Sequence, residues 1–147
     1  MMFILDTNVI SELRRAGDGR ADPNVLSWLA PQDANQLFIS VLTVMELEIG
    51  VRRVERRDAA QGAVLRRWLD ERVLVEFKDR VLAVDKTVAL RCAGLHVPDP
   101  RSDRDALIAA TALVHGFTVV TRNISDFAVT GLTLLNPWLA SGTTSAL

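Results

Sequence analysis

Short apolar runs alternate with amphipathic segments along most of the chain. The runs are MFIL at 2–5, LFIS at 37–40, VLVEF at 73–77, FTVV at 117–120 and LTLL at 132–135. Because they are mostly uninterrupted, they indicate strands buried on both faces, as in a parallel sheet. The segments between them have helical periodicity, which predicts helices over residues 8–15, 24–30, 43–57, 58–71, 85–95 and 104–115.

This alternation of strands and helices predicts an α/β fold, a three-layer α/β/α sandwich around a central, mostly parallel sheet. The length of 147 residues fits one domain, which we assign to residues 1–138. Residues 139–147, which are rich in Ser and Thr, are predicted to form a short disordered tail. Ligands of such sheets collect at the carboxyl ends of the strands, so the residues that follow each strand are the candidates for function.

Composition narrows the classes of function and the compartment. The net charge is −1, from 17 basic and 18 acidic side chains, so any contact with nucleic acid must depend on local basic groups. A single cysteine excludes a disulfide within the chain and fits a reducing compartment. The longest later apolar stretch, ALIAATALV, is far shorter than the roughly 20 residues of a membrane span. We therefore expect a cytoplasmic protein with no membrane partner.

Two acidic residues come directly after, or soon after, predicted strands. Asp6 follows MFIL, and Asp126 lies in TRNISDF after the strand FTVV. Asp6 would also serve well as a helix N-cap, and Asp126 could close a turn. Position alone therefore leaves a structural and a functional interpretation open for each.

Glu46 lies near the amino end of the predicted helix 43–57, close to the end of the strand before it. Two residues further on, Glu48 has Arg52 at the spacing that favours a surface ion pair. Glu46 has Gly50 at the same spacing, so an ion pair within the helix does not explain it.

Asp103 and Asp105 stand at the start of the predicted helix 104–115, where the helix dipole favours anions. Two acids are more than this electrostatic role requires. Either one could be a functional carboxylate, with the other a supporting residue or a cap.

Taken together, four acids are expected to converge at one edge of the sheet: Asp6, Glu46, Asp105 and Asp126. Neighbouring carboxylates repel one another, and a hard divalent cation removes that cost. With oxygen ligands alone, Mg²⁺ is the expected ion, with Mn²⁺ as a substitute, rather than Zn²⁺.

Three stretches, FILDTNVISEL, SVLTVMELEIGV and DALIAATALVHGFTVVTRNISDF, resemble the PIN domain and, within it, the VapC-type toxins of bacterial toxin–antitoxin pairs. The resemblance runs from about Phe3 to Pro137 and implies a PIN-like sandwich. By resemblance, the four acids form the catalytic and metal-binding quartet, and the acid directly before ALIAATA is Asp105. Supporting positions are Thr7, Asn8, Asp103, Thr121 and Asn123.

The resemblance implies an Mg²⁺-dependent endoribonuclease that cuts tRNA or rRNA, is neutralised by a cognate antitoxin and forms a homodimer. Local attraction of phosphate is assigned to Arg101, Arg104 and Arg122, or to a groove formed on dimerisation. The run RRVERR at 52–57, with Arg66 and Arg67, is either a solvated helix face or a docking surface for a partner.

Two other functions remain as alternatives. One is a catalytically silent interaction module that keeps the fold and the acids. The other is an aspartate-dependent phosphatase, which needs a second Asp where this chain has Asn8 and relies on a lysine. The only two lysines, Lys78 and Lys86, lie in poor places for that chemistry, which makes the phosphatase the weaker alternative.

Overall fold

The computed structural model describes residues 1–129, 131–139 and 143–146, and its strands form a six-stranded sheet. The order across the sheet is β3-β2-β1-β4-β5-β6. The first five strands along the chain pair in parallel, and β6 runs antiparallel to β5 at one edge. The strands are β1 (Phe3–Leu5), β2 (Leu37–Ser40), β3 (Val81–Leu82), β4 (Thr118–Val120), β5 (Thr133–Asn136) and β6 (Thr143–Ala146).

Helices cover both faces of this sheet. They are α1 (Thr7–Arg14), α2 (Pro23–Leu29), α3 (Val41–Arg57), α4 (Ala59–Trp68), α5 (Leu74–Glu76), α6 (Lys86–Leu95) and α7 (Asp103–His115). A π-helical turn, Leu69–Val73, joins α4 to α5. Short 3-10 turns occupy Arg15–Asp18, Ala34–Gln36 and Ile124–Phe127.

The alternation of side chains along the strands divides the core between the two faces. On β1, Phe3 and Leu5 pack with the helices α1 to α5, whereas Ile4 packs with α7 on the other face. A third cluster joins Val88 of α6 to Ala110 of α7. The predicted three-layer sandwich with a mostly parallel sheet is therefore confirmed.

The prediction of a strand at VLVEF is wrong, because this run continues the helical segment that begins with α4. Leu69, Val73 and Phe77 are buried at helical spacing, while Val75 between them is 64% exposed. An apolar run of this length is compatible with either structure, and tertiary packing decides between them. The strand of this region is the shorter β3, a few residues later.

The predicted tail falls on the last strand and on residues outside the described part of the chain. Residues 143–146 form β6, which pairs with β5, so here the structure differs from the disordered segment expected from composition. Residues 140–142 and 147 lie outside the described residues. Within the part that the structure describes, none of the helices combines the length and apolar character needed to cross a bilayer.

We expect that only glycine fits at position 62, where α4 packs closely against α3. A Cβ atom at this position would lie 2.5 Å from Glu55 Cα and 2.9 Å from Glu55 N, and these backbone atoms cannot move aside cheaply. Gly62→Ala should therefore lower the free energy of unfolding by about 1–3 kcal/mol in chemical denaturation.

Gly50→Ala is the matched control, because Gly50 is also helical and has nothing within 4 Å of its added Cβ. It should raise stability by a few tenths to about 1 kcal/mol, through higher helix propensity and a less flexible unfolded chain. Equal effects of the two substitutions would contradict the packing role of Gly62.

Candidate active site

Asp6 is buried at the carboxyl end of β1 and caps α1. Its carboxylate accepts hydrogen bonds from the Thr7 N–H at 2.8 Å, the Thr121 hydroxyl at 2.8 Å and the Asn8 side-chain amide at 3.2 Å. Burial raises the pKa of Asp6, with smaller contributions from the negative charges of Glu46 and Asp126, and the hydrogen bonds oppose this rise. Asp6 thus serves both as the N-cap of α1 and as one of the acids of the candidate site.

Thr7 connects the first acid to the second. The Thr7 hydroxyl donates to Glu46 Oε1 at 3.0 Å and lies 3.1 Å from the hydroxyl of Thr43, which is buried. Glu46 is on α3, which begins after its N-cap Ser40, directly following β2. The adjacent parallel strands β1 and β2 thus bring Asp6 and Glu46 to the same edge of the sheet. There the Thr7 hydroxyl links α1 to Glu46.

Asp105 lies in the first turn of α7 and is half-buried. Burial raises its pKa, and the negative charges of Asp6 and Asp126 raise it further. The residues that the structure describes donate no side-chain hydrogen bond to Asp105, so capping does not account for it. Asp126 is exposed in the 3-10 turn after β4, and its negative charge contributes to the raised pKa of both Asp6 and Asp105.

These residues border an open cleft of about 480 Å³ at the carboxyl edge of the sheet. Its lining residues are Asp6, Thr7, Asn8, Ser11, Glu12, Arg14, Arg15, Glu46, Asp105, Arg122, Asn123 and Trp138. Thr121 lies fully buried below it, where its hydroxyl accepts from the Asn123 N–H at 3.0 Å. Three of the four predicted acids, Asp6, Glu46 and Asp105, therefore line one cleft. The charge of the fourth, Asp126, affects the pKa of Asp6 and Asp105.

Some predicted site residues lie elsewhere. Asp103 is 87% exposed and its carboxylate is 3.4 Å from His96. Arg101 donates to the backbone oxygen of Leu95 at 3.1 Å, and neither residue lines the cleft. Arg104 is also outside the lining, but its guanidinium lies 3.8 Å from Glu46 Oε2.

The chemistry of the site favours a hard cation. Every acidic donor is a carboxylate oxygen. Burial raises the pKa of both Asp6 and Asp105, and the negative charges of neighbouring acids raise it further, so a cation would relieve an excess of negative charge. Among the described residues, no three His, Cys, Asp or Glu side chains already stand close enough to hold one ion. The residues fit such an ion by charge and donor type, and joint coordination would require side-chain movement.

The sequence interpretation missed one wall of the cleft, which is basic and aromatic. Arg14 and Arg15 come from the end of α1, and Trp138 comes from the segment after β5. Trp138 also carries the Arg122 guanidinium over its ring. No local pattern marks these residues, because they meet only when the fold brings distant segments together.

Comparison with known proteins agrees with this architecture. The PIN domain profile matches residues 3–131. The chain belongs to the PIN-domain family. Within that family it is one of the VapC-type toxins, as two relatives over 93% of the chain indicate.

Three relatives show how far the similarity extends. Plasmid stability protein StbB of Pseudomonas syringae pv. tomato is 39% identical, over 95% of this chain and 100% of its own. VapC ribonuclease Y4jK of Sinorhizobium fredii is 37% identical, over 93% and 98%. Toxin FitB of Neisseria gonorrhoeae is 32% identical, over 93% and 99%.

Solved structures give the same result. A structure of FitAB bound to an IR36 DNA fragment superposes with a TM-score of 0.85 at 30% identity, covering 95% of this chain and 98% of that one. FitAcB from Neisseria gonorrhoeae superposes with a TM-score of 0.83 at 32% identity, covering 93% and 99%.

Proposed function

We propose that this protein is a divalent-metal-dependent endoribonuclease that acts as the toxin of a toxin–antitoxin pair. Its substrate is RNA of the tRNA or rRNA class, and Mg²⁺ is its ion, with Mn²⁺ as a substitute. The observation that carries the proposal is the convergence of Asp6, Glu46 and Asp105 on one cleft, with Asp126 acting on it electrostatically. Relatives named as VapC ribonucleases support it.

In this proposal the four acids hold the cation, and the hydrogen bonds of the cleft orient them. Thr121 and the Thr7 N–H fix the Asp6 carboxylate, and the Thr7 hydroxyl fixes Glu46 Oε1. When bound, a divalent ion supplies activation of water and neutralisation of charge at the scissile phosphate. Asn8 supports the site as a hydrogen-bond donor, since its amide contacts both Asp6 and Thr121.

The phosphatase alternative loses support at the same place. Asn8 occupies the position where that chemistry needs a second acid, and neither Lys78 nor Lys86 lines the cleft. The catalytically silent module remains the competing function, and only an activity measurement separates it from a nuclease.

The proposed partner is a cognate antitoxin protein. Toxin FitB is 32% identical to this chain, and the solved FitAB and FitAcB structures are 30% and 32% identical to it. From the resemblance to VapC-type toxins, we propose that the protein pairs with an antitoxin and forms a homodimer.

RNA cleavage is expected to depend on both a divalent ion and Glu46. We would incubate the purified protein, freed of antitoxin, with end-labelled tRNA and rRNA fragments in Mg²⁺ or Mn²⁺, and in EDTA. Discrete cuts should appear only with the ion, and Glu46→Gln should reduce their rate by at least about tenfold to 100-fold, because even residues that only orient a metal ligand cost that much when replaced.

Glu48→Gln provides the matched control on the same helix. Glu48 pairs with Arg66 and Arg52 outside the cleft, so this variant changes the same charge away from the site and should cleave normally. Intact RNA in the presence of the ion, from a folded protein that still binds the ion, would favour the silent module instead.

A further inference from the structure

Arg122 and Trp138 form a pair on the wall of the cleft that also contains the acids. The guanidinium carbon of Arg122 lies 5.4 Å from the centroid of the Trp138 ring, within the range of a cation–π interaction. The two residues come from different segments, one just after β4 and one just after β5. Their contact is therefore a product of the tertiary fold.

Hydrogen bonds hold the backbones of both segments in place. Asn136 accepts from the Trp138 N–H at 2.9 Å, and its amide donates to the Arg122 carbonyl at 3.5 Å. Asn24 of α2 donates to the Trp138 carbonyl at 2.8 Å, and the Arg122 N–H donates to Asn8 at 3.3 Å. The backbones of the two segments that carry the ring and the arginine are thus tied to α1, α2 and β5.

Arg122 differs from Arg15 and Arg104 in what it contacts, and it is the arginine of the cleft lining that lies over the Trp138 ring. Among the described residues, Arg15 and Arg104 lie 3.5 Å and 3.8 Å from the carboxylates of Glu12 and Glu46, whereas Arg122 has no carboxylate within ion-pair distance. The ring of Trp138 holds the cation without neutralising it. The planar set of N–H donors on Arg122 stays available to an anion in the cleft, and this geometry suits phosphate.

We propose that Trp138 is a positioning residue, which holds Arg122 so that its guanidinium binds a backbone phosphate of RNA lying across the cleft. This inference rests on the proposed ribonuclease function and adds to it the residue that fixes the phosphate contact. The net charge of −1 makes such a local cation necessary, because the whole molecule does not attract a polyanion. Trp138 acts through Arg122 and does not itself touch the RNA.

A double-mutant cycle tests this relation. We would measure the Kd of a short fluorescent single-stranded RNA by anisotropy in Mg²⁺, with Asp105→Asn in every protein to prevent cleavage. Trp138→Leu and Arg122→Gln should each weaken binding about threefold to tenfold, and the double variant should bind no more weakly than Arg122→Gln. Arg122→Gln should also lower the slope of log Kd against log salt by about 0.7, the value for one phosphate on a single strand.

Conservative variants and a control separate positioning from packing. Trp138→Phe keeps an aromatic face and should restore most of the binding that Trp138→Leu loses. Arg91→Gln removes the same charge from α6, away from the cleft, and should leave the Kd unchanged. Circular dichroism checks the fold of each variant, because Trp138 also packs against the core.

Two results would overturn the inference. If Trp138→Leu weakens binding equally with and without Arg122, the ring contacts the RNA directly, as a base-stacking platform does. If Arg122→Gln leaves the salt dependence of the parent unchanged, the phosphate contact is absent, and this holds even where Trp138→Leu fails to fold. Failure of the ribonuclease proposal is seen separately, as intact RNA with the unmodified protein in Mg²⁺.

Discussion

Asp105→Asn is expected to reduce RNA cleavage by at least about 100-fold while the protein stays folded. The carboxylate is the acid that α7 contributes to the cleft, and the negative charges of Asp6 and Asp126 already act on it. An amide keeps the shape of the side chain but removes the charge with which it would hold a divalent ion. The measurement is the initial rate of cleavage of an end-labelled RNA in saturating Mg²⁺.

Asp103→Asn is the comparison that decides between the two acids at the start of α7. Asp103 is largely exposed and faces His96, outside the cleft, so this variant should retain most of the activity. A loss with Asp103→Asn as large as that with Asp105→Asn would mean that the first turn of α7 rearranges around the ion. Normal activity of Asp105→Asn would remove Asp105 from the proposed quartet.

The sequence could predict the acidic half of the site because topology alone brings strand ends together. Asp6 follows β1 and Glu46 lies just beyond β2, and these two strands pair in parallel. Neighbouring parallel strands end at the same edge, so the convergence needs no knowledge of side-chain packing. Asp105 required the additional knowledge that α7 begins at this edge.

The basic half of the cleft could not be predicted in the same way. Arg14 and Trp138 are far apart in sequence, and each also fits an ordinary surface or core role. Their meeting depends on how α1 and the segment after β5 pack, which periodicity does not specify. For the same reason VLVEF was predicted as a strand, although the buried spacing of Val73 and Phe77 is helical.

Without metal, the protein is expected to lose stability as the pH rises, and Asp105→Asn should remove part of this loss. The pKa of Asp105 is raised above its ordinary value of 3.8, so the folded chain keeps this proton at pH values where the unfolded chain has released it. Stability from Asp105 is therefore complete below the unfolded pKa and is lost as the pH rises through the folded pKa. In EDTA, the variant should melt at a higher temperature than the parent once the pH exceeds the folded pKa of Asp105.

Comparing the two proteins at each pH isolates Asp105 from other titrating groups. Arg66 lowers the pKa of Glu48 to about 2, and this pair contributes stability that is lost as the pH falls, which is the opposite dependence. Both proteins contain that pair, so it cancels in the difference. The difference in melting temperature should be near zero below the ordinary pKa of 3.8 and reach a plateau above the folded pKa of Asp105.

Adding Mg²⁺ should reverse this order. An ion at 100 times its Kd adds about 2.7 kcal/mol to the free energy of unfolding of the parent, and the variant should gain much less because it lacks one of the proposed ligands. If Asp105→Asn is more stable than the parent without Mg²⁺ and less stable with it, the Asp105 carboxylate lowers the stability of the metal-free fold and raises that of the metal-bound fold. A pH-independent difference that Mg²⁺ leaves unchanged would instead indicate an ordinary packing effect at the start of α7.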